Sequence, residues 1–421
     1  MENLVPMFQA FLGLGPTVIL PVFIFIIGLI FRCGPAKSFH SGLTIGVGFV
    51  GINLVVALLC DNLGPAAQAM IKNFGIQLNA IDIGWPGSAS MAWASPIAAF
   101  VLPLALVVNI IMLFTKTTKT MDVDIWNYWH FTFCGACVYA LTGSFWQAIV
   151  AAIIFEIVVL KIADWTAPYM EKYFDLSGVS VPTGSTCSYA PLGIPLIWLI
   201  KKIPVIKNLK ADPDSIQKRF GIFGEPIFMG LFLGAVLGVL AGYNAGEVAK
   251  VGMAMAGVMV LMPRMVKLLM EGLIPISEAA RNVLQKRFGE NANIYIGLDA
   301  AVTTGHPAVI ATALILVPIT ILLAVILPGN NVLPFGDLAT IPFIVAMIVA
   351  AARGNIVHSV LAGIVVISLS LLMSTAMAEF QTTMGVIANF KMPEGSTLIS
   401  SIDQAGNLIN FIIFKAFALF N

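Results

Sequence analysis

Apolar stretches separated by short polar breaks run along almost the whole 421-residue chain. A helix that crosses a bilayer needs about 20 mostly apolar residues. Stretches of this kind cover 14–31, 42–60, 94–114, 144–162, 226–243, 249–266, 307–327, 338–352 and 356–376, and more mixed ones cover 130–142, 188–200 and 400–420. The pattern predicts an all-α polytopic membrane protein of about 10 to 11 transmembrane helices, some of half length. The first apolar stretch has neither a basic start nor a small-residue cleavage site, so it reads as a spanning helix rather than a signal peptide. The longest polar stretch, 201–221, falls near the middle of the chain, and a second polar connection covers 391–407.

Basic residues orient the connections. Arg32 and Lys37, Lys116 and Lys119, the lysines of 201–219, the cluster from Arg264 to Arg287, and Arg353 all belong on the cytoplasmic side by this rule, whereas 61–80 carries only Lys72 and belongs outside. Across that divide two stretches resemble each other: "DNLGPAAQAMIKNFGIQLNAIDIGWPGSAS" at 61–90 and "EGLIPISEAARNVLQKRFGENANIYIGLDAA" at 271–301. Each starts at a proline expected to turn the chain (Pro65, Pro275). Each then runs through an amphipathic helix to an Ile-Gly pair (Ile83-Gly84, Ile296-Gly297), and breakers follow before an apolar helix. The same spacing pairs Asp124 with Asp337. With one copy outside and the other inside, the expected arrangement is two inverted-topology repeats, each with a broken or re-entrant segment. The first repeat spans 1–210 (broken near 80–96) and the second 211–376 (broken near 294–307), with a C-terminal connection and last helix at 377–421. In such folds the substrate sits near the bilayer midplane at the broken segments.

Ionisable groups inside apolar segments are costly, so each is a candidate functional residue. "DVDIWNYWHFTF" at 122–133 places Asp124, Asn127 and His130 three residues apart on one helical face, flanked by Trp126 and Trp129. Acids and amides hydrogen-bond hydroxyls and indoles cover C–H surfaces, as a carbohydrate site requires; an interfacial aromatic anchor over a helix cap would give the same pattern. Asp299 and His306 flank the second broken segment and are candidates for binding or gating, with Thr304 between them. Asp82, Trp85 and Ser88 occupy the first, where Asp82 either lines the site or caps the segment. Glu225 and Asp337 precede apolar helices and fit either a site or an ordinary helix start. The small-residue stretch 180–195 fits either a re-entrant loop or a surface loop.

Composition narrows the functional classes. Charged residues make up 10% of the chain and mean hydropathy is +0.96, against about 25% charged residues in soluble domains. The net charge of +1 gives no electrostatic footprint for nucleic acid. The five cysteines are scattered, and Cys134 and Cys137 lie in an apolar helical run, so they read as packing thiols rather than disulfides or a redox pair. No metal-ligand spacing, phosphate loop, cofactor motif or nucleophile–base set stands out.

"DIGWPGSASMAWASP", "VDIWNYWHFTF", "RFGIFGEP", "IGLDAAVTTGHPAVI" and "VLPFGDLATIPF", with "GFVGINLVVALL" near the start, resemble the galactitol-type enzyme IIC. This is the permease component of the bacterial phosphoenolpyruvate-dependent sugar phosphotransferase system, in its ascorbate–galactitol group. The resemblance runs from about residue 13 to about 376. It implies a homodimer in the bacterial cytoplasmic membrane, with a substrate-carrying core domain and a dimer-forming domain. It also implies a neutral polyol substrate, no cofactor, and no catalytic nucleophile in this chain. A cytosolic IIB protein donates the phosphoryl group from a phosphocysteine and is recharged by IIA. The basic stretch 201–219 would face such a partner, although the positive-inside rule alone also accounts for it. Phosphorylation adds about −1.5 to −2 charges, which traps the product inside without an ion gradient. An ion-coupled secondary transporter, with Asp124, Asp299 or His306 titrating, is the alternative.

Overall fold

A computed structural model describes residues 16–74, 78–209, 225–288, 294–393 and 396–420. Residues 210–219 of the basic stretch expected to face a soluble partner lie outside the described residues, as does "GIFG" ahead of Glu225.

Four helices pack chiefly on one another: α1 (Pro16–Ile30), α2 (Pro35–Phe74), α9 (Pro226–Leu240) and α10 (Ala245–Phe288). α2 has 40 residues and α10 has 44. At 1.5 Å per residue each is about 60–65 Å long, roughly twice the hydrocarbon thickness. Pro65 and Pro275 lie inside these helices. This corrects the expected proline turns: the repeated stretches begin as the second halves of two long helices. α2 keeps Phe39, Leu43, Val47, Val50 and Leu54 exposed along one face, an apolar stripe suited to lipid or to another protein.

The remaining helices build a second unit around two small sheets. They are α3 (Gly84–Ala94), α4 (Ala98–Phe114), α5 (Tyr128–Thr142), α6 (Phe145–Phe174), the short α7 (Gly184–Cys187), α8 (Ala190–Ile200), the short α11 (Ala301–Thr304), α12 (Pro307–Ile326), α13 (Ile341–Ala352), α14 (Ile356–Ile387) and α15 (Leu408–Ala418). α6, α12 and α14 are long and apolar enough to cross a membrane, and α3 with α4 makes a fourth crossing if that bent pair is one span. By this measure the described residues hold fewer full-length spans than the 10 or 11 expected. Several expected spans are short helices instead, among them α8, α13 and α15.

The bend between α3 and α4 is 96° and its cause is local. Proline disfavours helical geometry in the residue before it, and Ser95, preceding Pro96, is extended (φ −70°, ψ 152°). Its hydroxyl donates to the Ala92 carbonyl at 2.6 Å, which satisfies an end of the broken helix.

The chain is not purely α. Six short strands form two three-stranded parallel sheets: β1 (Ala80–Asp82), β2 (Thr120–Asp122), β3 (Val179–Ser180), β4 (Tyr295–Gly297), β5 (Val332–Leu333) and β6 (Leu398–Ser400). One sheet has the order β5-β1-β6 and the other β2-β4-β3. Each therefore has a central strand from one half of the chain and two flanking strands from the other. Ala80 pairs with Val332 and Leu398, and Ile296 pairs with Met121 and Val179. The central strands equate Ala80–Asp82 with Tyr295–Gly297, two residues away from the Ile-Gly alignment read in the sequence. Non-helical backbone is tolerated at membrane depth only where protein or a wet cavity satisfies it; here strand pairing across the halves does so.

Two glycines permit the closest crossing. Gly84 has φ +72°, and a side chain on Gly336 would overlap the backbone of Asp82 and Gly84.

Candidate functional site

The segments that leave the strands carry acids, and these tie the halves together. Past β5, the Asp337 backbone N–H donates to Asp82 Oδ2 at 2.8 Å. In return Asp337 Oδ1 accepts the Trp85 N–H at 2.7 Å and the Thr340 hydroxyl at 2.9 Å. Asp337 Oδ2 accepts the Ser401 hydroxyl at 2.7 Å and the Asp403 N–H at 3.0 Å. Asp82 Oδ1 accepts the Gly84 N–H at 2.9 Å. At the other sheet, Asp124 Oδ2 accepts the Asp299 N–H at 3.2 Å and Asp124 Oδ1 accepts the Trp126 N–H at 3.1 Å. Asp299 Oδ1 accepts the Ala301 N–H at 2.8 Å, two residues on, as Asp82 does with Gly84. Each pair thus joins an acid from one half to an acid from the other, and each carboxylate terminates otherwise orphaned backbone donors.

Between the two units lies a cavity of about 480 Å³, within the usual range of small-molecule sites. One wall is aromatic: Trp85, Trp126, Trp129, Phe335 and Phe343. The three indole rings sit 6.1–6.4 Å apart. Polar groups converge on a second wall: His130, Thr183, Ser185, Asp299, Thr304 and Thr340. Helix α10 closes the space with Met255, Val258, Met259 and Lys267.

Thr183 is held by its hydroxyl, which donates to Asn127 Oδ1 at 2.9 Å and accepts the Ala300 N–H at 2.8 Å. Asn127 donates onward to Asp122 Oδ1 at 3.0 Å. His130 leans on Trp129 with ring centroids 4.0 Å apart, and a side chain on Gly184 would strike its ring. The imidazole is fixed at both nitrogens: Nδ1 lies 2.9 Å from the Asn127 carbonyl and Nε2 lies 2.9 Å from Ser185 Oγ.

Of the residues singled out in the sequence, Trp85, His130, Asp299 and Thr304 line the cavity. Asp82, Asp124, Asn127 and Asp337 sit one layer behind and hold the lining segments through the bonds above. Ser88 is buried against Gln381, whose amide donates to it at 3.0 Å. His306 caps α12, its Nδ1 accepting the Ala308 N–H at 3.2 Å, and its ring packs on Tyr173 and Phe174. Glu225 is exposed at the start of α9, and its side chain makes no cap bond. Neither His306 nor Glu225 reaches the cavity wall. Trp126 and Trp129 are buried cavity residues, which removes the interfacial-anchor reading. Residues 181–190 are buried throughout, which removes the surface-loop reading of that stretch. His358 is buried, with Nε2 3.0 Å from the Ile206 carbonyl.

Sequence reasoning missed Thr183, Ser185 and the whole run Ser401–Asn407, which is buried from end to end. The signal was present: "SSIDQAGN" is a polar run set between apolar segments, and its length fits a surface connection as readily as a buried crossing.

Apolar helices, buried non-helical crossings and an aromatic–polar cavity between two units define a membrane permease. Residues 10–395 match the family described as the PTS system sugar-specific permease component, EIIC-GAT, and the chain belongs to this family. It is 42% identical to the PTS system galactitol-specific EIIC component of Escherichia coli K12 over 97% of this chain and 90% of that protein. The protein of the same name from Escherichia coli O157:H7 matches equally. A putative permease IIC component of Escherichia coli K12 is 40% identical over 98% of this chain and 94% of that protein.

Proposed function

We propose that this protein carries a galactitol-like polyol across the bacterial cytoplasmic membrane by alternating access. It hands the polyol to a cytosolic IIB protein for phosphorylation, and IIA recharges IIB. The observation that carries this reading is the cavity itself. Clustered indoles share the cavity with hydroxyl, imidazole and carboxylate groups, the combination that a flexible neutral polyol needs for its C–H faces and its hydroxyls. In this reading Trp85, His130, Asp299 and Thr304 contact the polyol, while Asp82, Asp124, Asn127 and Asp337 hold the contacting segments. Ser88, His306 and Glu225 were candidates of the same set; their positions give them supporting roles at most.

The exchange of strands between the halves supports two inverted repeats, and the α1–α2–α9–α10 unit, with its exposed apolar stripe, is the proposed dimer-forming part. Alternating access then moves the sheet-containing unit against it, with the cavity at the boundary. Ion coupling is disfavoured because Asp82, Asp124 and Asp337 spend their oxygens on backbone N–H groups, which leaves them poorly placed to exchange protons or cations.

The test is uptake of radiolabelled galactitol into vesicles with the proton gradient abolished. Accumulation of phosphorylated polyol only when IIB, IIA, phosphoenolpyruvate and the general phosphotransferases are supplied establishes the reading. Gradient-driven accumulation of unmodified polyol without them refutes it.

A further inference from the structure

The family match ends at residue 395, yet the segment beyond it reaches the centre of the site. β6 completes the β5-β1-β6 sheet, and the next turn brings Asp403 and Gln404 behind the cavity wall. Ser185 Oγ, on that wall, donates to Asp403 Oδ2 at 2.7 Å. Gln404 Nε2 donates to the same oxygen at 2.8 Å, and Asp403 Oδ1 has no partner. Ser185 also faces His130 Nε2 at 2.9 Å. The three side chains form one line from a buried acid to the cavity.

Counting donors fixes how many protons this line holds. The Asn127 carbonyl can only accept, so His130 Nδ1 is protonated. Two arrangements then satisfy every contact. In one, Nε2 is also protonated and donates to Ser185, which donates to the Asp403 carboxylate. In the other, Asp403 is protonated and donates to Ser185, which donates to a bare Nε2. They hold the same number of protons and differ by one proton shifted along each of two hydrogen bonds. In both, the one hydroxyl proton of Ser185 is committed within the line, and the remaining lone pair of Oγ is approached only by Gln404 Nε2 at 3.4 Å, long beside that amide's 2.8 Å bond to Asp403, so a substrate hydroxyl can take it. Without the shared proton, lone pairs oppose each other at the 2.9 Å contact and the line breaks.

We infer that Asp403 is a positioning residue of the binding site: it keeps a shared proton on the Ser185–His130 line and so presents Ser185 to the cavity as a hydrogen-bond acceptor for a substrate hydroxyl. This rests on the polyol reading above. Affinity then falls as pH rises and the shared proton is lost. The other titratable groups facing Asp403 are Asp337, which accepts its N–H, Tyr189, whose hydroxyl donates to its carbonyl at 2.9 Å, and Asp299 nearby. All three are unchanged in the variants below, so any pH dependence they cause survives there.

The experiment measures galactitol binding to the purified full-length protein across a pH series, for wild type, Asp403→Asn and Ser185→Ala. An asparagine amide donates to Ser185 as the protonated acid does and cannot lose that proton, and Gln404 accommodates it by turning its amide so that Oε1 accepts in place of the Nε2 donor. Asp403→Asn is therefore expected to bind at neutral pH within about threefold of wild type but to lose the alkaline fall. Ser185→Ala is expected to lose about tenfold in affinity, the size of one good hydrogen bond. An unchanged alkaline fall in Asp403→Asn, or wild-type affinity in Ser185→Ala, overturns the inference. If Asp403→Asn does not fold, Ser185→Ala decides alone. If the wild type binds no polyol, the substrate reading fails, and the ¹⁵N spectrum of His130 decides whether the line itself stands. An alkaline transition at Nε2 present in wild type and absent in Asp403→Asn supports it; the same spectrum in both overturns it.

Discussion

Asp337 is the acceptor on which three segments converge, and replacing it by asparagine tests whether the halves are held as described. Its two oxygens take four donors: the Trp85 and Asp403 N–H groups and the Thr340 and Ser401 hydroxyls. Each oxygen faces one backbone N–H and one hydroxyl. An asparagine must turn its NH2 toward one of these pairs. The hydroxyl there can rotate and accept, but the backbone N–H cannot, so either orientation leaves Trp85 N–H or Asp403 N–H buried against another donor. A stranded buried donor costs about 1–3 kcal/mol and the hydrogen bond lost with it about 0.5–1.5 kcal/mol, so Asp337→Asn should destabilise the fold by about 2–4 kcal/mol. Equilibrium unfolding in mixed micelles, followed by tryptophan fluorescence, measures this. Thr340→Val removes one hydroxyl donor without stranding a backbone group and should cost about 1 kcal/mol. A loss under about 0.5 kcal/mol in Asp337→Asn would refute the claim that this carboxylate clamps the crossing.

Four further substitutions separate packing from binding. Gly336→Ala pushes a methyl group into the Asp82–Gly84 backbone, which no rotamer relieves, so it should cost about 3 kcal/mol or more or prevent folding. Gly305→Ala, where the added carbon meets nothing within 4 Å, should be near neutral in the same unfolding measurement. His306→Ala should lower stability by about 1 kcal/mol through the lost cap and leave galactitol affinity within about twofold, whereas Asp299→Asn at the cavity wall should weaken binding about tenfold or more; equal losses of affinity would place His306 in the site after all.

The sequence by itself determined the class of protein, the family, and the places where the helices break. Apolar length is a one-dimensional property, and Gly, Pro and acids inside apolar runs are conspicuous because they are costly there. Asp82, Asp124, Asp299 and Asp337 were all legible for that reason. Only the tertiary structure decided what each acid does. Strands of two or three residues carry too little pattern to be read, and their partners lie 117 to 318 residues away, so the exchange of strands between the halves was invisible in the sequence. That exchange turns Asp82 and Asp337 into clamps behind the wall and leaves Asp299 on it. Thr183, Ser185 and Asp403 are ordinary polar residues in sequence; they become a site because two segments 218 residues apart fold back to the same buried point, and the distant partner that a helix break meets is set by packing, not by local composition.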